Sequence, residues 1–75
     1  MSDRTLDTSG LRCPMPLLKT KLELNGMSPG EELEVIATDA GSARDIPAFL
    51  AQTAHSLIHS SEHSGRYRFV IKCGG

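Results

Sequence analysis

Tryptophan is missing from this chain of 75 residues, and one tyrosine and two phenylalanines make up its 4% aromatic content. Any core must therefore rest on Leu, Ile, Val and Met, and a platform for stacking nucleic-acid bases has little to be built from. Neither sign of charge dominates. Eight Lys and Arg stand against nine Asp and Glu, for a formal net charge of −1, which argues against binding driven by phosphate neutralisation. No apolar run approaches the roughly 18–20 residues needed to cross a bilayer, and Met1 to Thr8 has no apolar signal-peptide region. We expect no direct nucleic-acid partner, no membrane and residence in the cytoplasm. Cysteine is scarce too, with only Cys13 and Cys73 present. Structural disulfides are rare in a reducing compartment, and one bridge is thin support for a domain this small, so free thiols are expected.

What is present fits one small globular domain spanning residues 1–75, with 39% hydrophobic and 23% charged residues. Met1 to Thr8 reads as a short strand with Arg4, Thr5, Leu6 and Asp7 as its body, broken by Ser9-Gly10. Pro14 and Pro16 suit a first helical turn, where backbone N–H groups have no intrahelical partner. A helix from Pro14 to Leu24 follows, with Met15, Leu18 and Leu22 as its apolar side, Leu17 and Leu24 widening it, and Asn25-Gly26 as its stop. Leu33, Val35 and Ala37 alternate with Glu32, Glu34 and Ile36 as a half-buried strand. A second helix begins either at a capping box, Ser42-Ala43-Arg44-Asp45, or with Asp45 as N-cap, which would bring Pro47 into the first turn. Its buried stripe is Ile46, Phe49, Leu50 and Ala54. Ser56 to Ser61 and a segment alternating Tyr67, Phe69 and Ile71 with Arg68, Val70 and Lys72 form a hairpin about Glu62-His63-Ser64-Gly65. Cys73-Gly74-Gly75 is a short tail.

The βαβαββ order implies a parallel pair with a right-handed crossover, joined by an antiparallel hairpin. The fold class is therefore an α/β (α+β) two-layer sandwich, with two helices on one face of a four-stranded mixed sheet.

The chemistry centres on Gly10-Leu11-Arg12-Cys13-Pro14-Met15-Pro16. A helix N-terminus offers partial positive charge and free N–H donors, so a cysteine there is expected to have a lowered pKa, with Arg12, Lys19 and Lys21 adding to the field. Pro14 and Pro16 stiffen the turn and keep the sulfur out of the core. The competing expectation is that Cys13 is simply a small buried hydrophobe. His55, His59 and His63 recur every four residues, but no Cys pair or carboxylate completes a tetrahedral metal set, so no metal and no cofactor are expected. A Cys-x-x-Cys redox pair is absent. Covalent carriage of a group is what remains for a single activated thiol.

The run Leu6-Asp7-x-x-Gly10-Leu11-Arg12-Cys13-Pro14-x-Pro16 resembles the signature of the TusA (SirA-like) family of small sulfur carriers. The similarity continues through Pro29-Gly30-Glu31, Ala37-Thr38-Asp39, Arg44-Asp45-Ile46-Pro47 and Tyr67-Arg68-Phe69-x-Ile71-x-x-Gly74-Gly75. The resemblance implies a sandwich similar to the C-terminal domain of translation initiation factor three. It implies a sulfurtransferase-type carrier in which Cys13 takes sulfane sulfur from a cysteine desulfurase or rhodanese-type donor, holds it as a persulfide and passes it to an acceptor protein. The relay ends in tRNA 2-thiouridine in some relatives, and in molybdenum cofactor assembly or sulfur oxidation in others. By the same resemblance Arg12, Leu18, Lys21 and Asp39 are docking candidates; read without it, the charges are solvated surface and Leu18 is core. A monomer is the default expectation. Cys73, where relatives often carry a basic residue, is either an idle thiol in a flexible tail or a partner that resolves the Cys13 persulfide. Two rivals stay open: a thiocarboxylate carrier using Gly74-Gly75, and a regulatory module that binds protein or RNA.

Overall fold

The computed structural model describes residues 3–74 of the chain. Alternation of apolar and polar residues sets the centre of the sheet. Strand β2 (Glu32–Ala37) turns Leu33, Val35 and Ala37 inward, and all three are fully buried. Parallel to it runs β1 (Arg4–Thr8), with Leu6 beside Val35 and Thr8 beside Ala37. The expected strand thus forms over Arg4–Thr8, while Met1 and Ser2 lie outside the described residues. Strand β4 (Arg66–Lys72) is antiparallel on the other side of β2, setting Ile71 against Leu33 and Phe69 against Val35. Strand β3 (Ser56–His63) closes the order β1-β2-β4-β3.

The hairpin turn is tighter than the sequence suggests. It consists of Ser64 and Gly65, at φ of 50° and 80°, the pair of positive values that a type I′ turn requires and that matches the twist of the flanking strands. Glu62 and His63 belong to β3, paired with Tyr67 and Arg66. An irregularity between Leu57 and His59 leaves Ile58 outside the ladder. Every residue of this edge strand is exposed.

Two helices lie on one face of the sheet, as expected. Helix α1 (Met15–Asn25) crosses from β1 to β2, and α2 (Ala40–Leu50) from β2 to β3. Leu24 from α1 and Ile46 and Leu50 from α2 join Leu33, Val35, Phe69 and Ile71 in a single apolar cluster.

The buried side of α1 differs from the expectation. Pro16, Thr20 and Leu24 face the sheet, while Met15, Leu18 and Leu22 are 42%, 44% and 71% exposed. Apolar residues nearly encircle this helix, so their spacing does not select a face. What selects it is Thr20, whose hydroxyl donates to the Pro16 carbonyl at 2.8 Å and can therefore be buried without loss.

Helix α2 starts earlier than either expected cap. Asp39 is the N-cap, and its Oδ2 accepts from the backbone N–H of Ser42 at 2.9 Å and from its hydroxyl at 3.1 Å. Pro47 therefore stands inside the helix, where it denies the Ala43 carbonyl its usual donor. Burial of Ile46 and Leu50 on either side of Pro47 offsets an interior-proline cost of about 3 kcal/mol. The helix ends at Leu50, so Ala54 falls beyond it and is exposed rather than part of the buried stripe. No helix among the described residues is long and apolar enough to cross a membrane.

Candidate functional site around Cys13

The β1–α1 loop carries Cys13 to the tip of α1. Leu11 N–H donates to the Thr8 carbonyl at 3.1 Å, and Met15 N–H to the Arg12 carbonyl at 2.8 Å, folding the loop into two successive turns. Pro14 is the N-cap of α1 and Pro16 its second residue, so neither removes an intrahelical donor. The Cys13–Pro14 peptide is cis. Pro16 is buried, whereas Arg12, Cys13 and Pro14 are exposed. The sulfur stands at the surface, and the alternative of a buried Cys13 is set aside.

The start of α2 meets the same loop. Asp39 Oδ2 accepts the backbone N–H of Cys13 at 3.3 Å in addition to the two donors from Ser42. One carboxylate oxygen thus caps α2 and ties the cysteine loop to it. A side chain at Gly41 would bring its Cβ to 3.2 Å from Asp39 Oδ2 and 3.6 Å from Cys13 Cβ, so the small residue there lets loop and helix approach. One turn beyond Gly41 on α2, Asp45 Oδ2 accepts from the Cys13 thiol at 3.2 Å.

These carboxylates reverse the electrostatic expectation for the thiol. The hydrogen bond to Asp45 pushes the Cys13 pKa above its ordinary value, with desolvation and the charges of Asp45 and Asp39 acting in the same direction. Arg44 alone opposes them. A helix end favours the thiolate, but the acidic side chains of Asp45 and Asp39 act against it, and the cations expected to help are not among the groups acting on the sulfur. Arg12 instead acts on Asp39, whose pKa is lowered chiefly by its hydrogen bond from the Ser42 backbone. Lys21 places Nζ 4.9 Å from the centre of the Phe49 ring, a cation–π contact that joins α1 to α2. Lys19 is exposed on α1.

Arg12 lies in the cysteine loop and Asp39 is bonded to that loop, while Leu18 and Lys21 stand about one and two turns into α1. Sequence reasoning missed Asp45. It lies 32 positions from Cys13, and no local pattern joins the two; the Arg44-Asp45-Ile46-Pro47 run marked the segment without giving the carboxylate a role.

Cys73 is not in a flexible tail. It is 2% exposed within the apolar cluster, and its Sγ lies 3.8 Å from the carbonyls of Leu24 and Met27. Its backbone is held on both sides, Cys73 N–H to Glu31 and Gly30 N–H to the Cys73 carbonyl, each at 2.8 Å.

The histidines do not form a cluster. His55 Nδ1 accepts from Gly74 N–H at 2.9 Å, while His59 and His63 lie along β3. Among the described residues no group of three or more His, Cys, Asp or Glu is placed to hold a metal ion. A shallow hollow of about 250 Å³ is lined by Ile36, Ser61, His63, Arg66, Tyr67 and Arg68, none of which belongs to the surroundings of Cys13.

Residues 4–73 match the family model described as sulfurtransferase TusA. The chain is 51% identical over 70 residues to a sulfur carrier protein TusA of Allochromatium vinosum, covering 93% of this chain and 92% of that one. It is 43% identical over 72 residues to a putative sulfur carrier protein of Neisseria meningitidis serogroup A, covering 96% and 97%. The crystal structure of a SirA-like protein from Desulfitobacterium hafniense superposes with a TM-score of 0.80 at 19% identity, over 96% of this chain and 99% of that one, which is a likeness of fold. A match that runs from the first strand to the buried second cysteine and includes the proline-framed thiol makes this chain a member of the sulfurtransferase TusA family.

Proposed function

We propose that this protein is a sulfur carrier of the cytoplasm that holds sulfane sulfur as a persulfide on Cys13 and passes it between proteins. The observation that carries this reading is the setting of the thiol: exposed at a helix tip, framed by two prolines, and with no histidine among its hydrogen-bond partners in the described residues. A hydrolase needs a base and an orienting partner beside its nucleophile. A carrier needs access to the sulfur being attacked, and its partners bring the rest.

The chemistry takes two displacements. In the first, Cys13 Sγ, as thiolate, attacks the terminal sulfur of a donor persulfide supplied by a cysteine desulfurase or rhodanese-type protein. A new S–S bond forms at Cys13 while the donor's own S–S bond breaks, its electron pair leaving on the donor thiolate. In the second, a nucleophile of the acceptor protein attacks the outer sulfur, and Cys13 departs as thiolate. No net oxidant is required, because the sulfane sulfur carries its oxidation level with it.

Arg12, Leu18, Lys21 and Asp39 are the docking residues of this scheme, and Pro14 and Pro16 support the cysteine. Met15, Leu18 and Leu22 form an exposed apolar stripe on α1 running back from the thiol, the kind of surface a protein partner covers. The carrier acts as a monomer between encounters, and the relay's end product is tRNA 2-thiouridine, molybdenum cofactor or another sulfur metabolite.

The test is incubation with a cysteine desulfurase and cysteine in buffer free of reductant, followed by intact mass. We expect wild type to gain sulfur, Cys13→Ser to gain none, and Leu18→Asp to load more slowly while folding normally. Loading of Cys13→Ser to the wild-type level would overturn the reading.

A further inference from the structure

The contact between Cys13 and Asp45 has no place in the carriage scheme as stated. The thiol donates to Asp45 Oδ2 at 3.2 Å, from a loop to a helix 32 positions later in the chain. Asp45 belongs to α2 yet is not its cap, which is Asp39. Its ionic neighbour, the Nε of Arg44, is 4.0 Å away on a side chain 83% exposed, a contact that solvent screens heavily. The sulfur is thus the one close polar neighbour that Asp45 meets among the described residues.

We propose that Asp45 is a guard on Cys13: its carboxylate holds the unloaded sulfur as a hydrogen-bonded thiol and withholds the nucleophilic thiolate from electrophiles and oxidants in solution. The charged groups facing the sulfur are Asp45 and Arg44 from α2 and Asp39 from the segment before it, with Arg12 from the cysteine's own loop acting on Asp39. Two carboxylates against one exposed guanidinium favour the neutral form. Oxidation and alkylation of cysteine follow thiolate content and exposure. An exposed thiol that must wait for its donor therefore needs its thiolate content kept low, because its exposure is fixed by the task.

Loading removes the guard's hold. Once Sγ is bonded to a second sulfur it has no proton to give Asp45. The outer sulfur of a persulfide anion then lies near two carboxylates, and that repulsion favours handing it on. In this sense the proposal deepens the carriage reading and depends on it for its purpose.

The test needs no sulfur donor. The rate of iodoacetamide modification of unloaded protein is followed from about pH 6 to pH 10, spanning the ordinary thiol range, with the tryptic peptide from Cys13 to Lys19 reporting the site. Buried Cys73 serves as an internal monitor, staying unmodified while the fold holds. Asp45→Asn keeps the shape and removes the charge. We expect its midpoint to move to lower pH, with a several-fold faster reaction near neutrality, and Asp45→Glu to stay closer to wild type. In wild type, we expect the midpoint in native protein to lie above that in urea. An unchanged or raised midpoint in Asp45→Asn, or a native midpoint at or below the unfolded one, would overturn the proposal. Should Asp45→Asn expose Cys73, the wild-type comparison decides alone. A guard disproved in this way leaves sulfur carriage standing, and a protein that fails to load sulfur leaves these profiles unaffected.

Discussion

Cys13 and Cys73 sit at opposite ends of helix α1. The first precedes the N-cap at Pro14, and the second lies against the carbonyls of Leu24 and Met27 at the other end. An α-helix of 11 residues is about 16 Å long, far beyond the reach of a disulfide, whose Cα atoms stand ~4.4–6.8 Å apart. Cys73 cannot resolve a persulfide on Cys13 in the folded protein. We predict that Cys73→Ser loads sulfur to the wild-type level but loses stability of ~1–3 kcal/mol, because a buried thiol is replaced by a more polar hydroxyl. Denaturant midpoints beside intact mass after loading check both halves. Lost loading in a folded Cys73→Ser protein would count against this account.

Asp39 is expected to matter through the loop it holds as well as through any surface it offers. Its Oδ2 gathers the N–H of Cys13 with the N–H and hydroxyl of Ser42. Asp39→Ala therefore removes a helix cap and frees the cysteine loop together. We expect a melting temperature several degrees lower and faster hydrogen exchange at the Cys13 amide. Asp39→Asn, which keeps an acceptor oxygen, should retain most of both. If Asp39→Ala leaves Cys13 exchange unchanged, the tie between loop and helix is not what holds the thiol in place.

The two sides of α1 give a third prediction. Leu22, at 71% exposure, should accept Gln at a cost within about 0.5 kcal/mol, as surface substitutions do. Leu24, at 2% exposure, should cost ~2–5 kcal/mol when cut to Ala. Urea unfolding of the pair measures the difference. A Leu22→Gln protein as unstable as Leu24→Ala would place the buried face where the leucine spacing alone put it.

Stability should fall on both sides of a neutral plateau. Asp39, Glu34 and Asp7 have pKa values held below the ordinary carboxylate range, by hydrogen bonds from Ser42, Arg68 and Ser9 in turn. Such groups stabilise the fold above their unfolded pKa, and the contribution is lost as pH drops through the lowered folded values, below about 4. Cys13 works in the other direction. Its raised folded pKa leaves its contribution complete below the unfolded value of ~8.5 and lost as pH climbs past it. Melting temperatures across pH check this, and Cys13→Ser should flatten the alkaline side while leaving the acid side alone.

Much of the fold was legible because the two central strands, β2 and β4, carry alternating apolar residues and pair with one another. Leu33, Val35 and Ala37 announced their face directly, as did Phe69 and Ile71. Helix α1 was found by its prolines and its Asn25-Gly26 stop, but its face was not, since apolar residues lie nearly all round it and a threonine took the buried place. Helix α2 was misplaced at its start because two capping patterns competed with Asp39, and the true cap puts Pro47 where propensity disfavours it. At the site, Cys13 and its prolines form a contiguous run and could be read. Asp45 could not, because its effect on the sulfur arises from packing α2 against the loop. A cysteine at a helix tip signals an activated thiol only until the facing residues are known.

The measurement that goes most directly to sulfur carriage is a tryptic map of protein loaded by a desulfurase and cysteine. Cleavage after Arg12, Lys19 and Lys72 separates a Cys13 peptide from the terminal Cys73-Gly74-Gly75. The account predicts one added sulfur, about 32 Da, on the Cys13 peptide, removable by reductant. Sulfur found instead on the terminal peptide, or on neither, would contradict it.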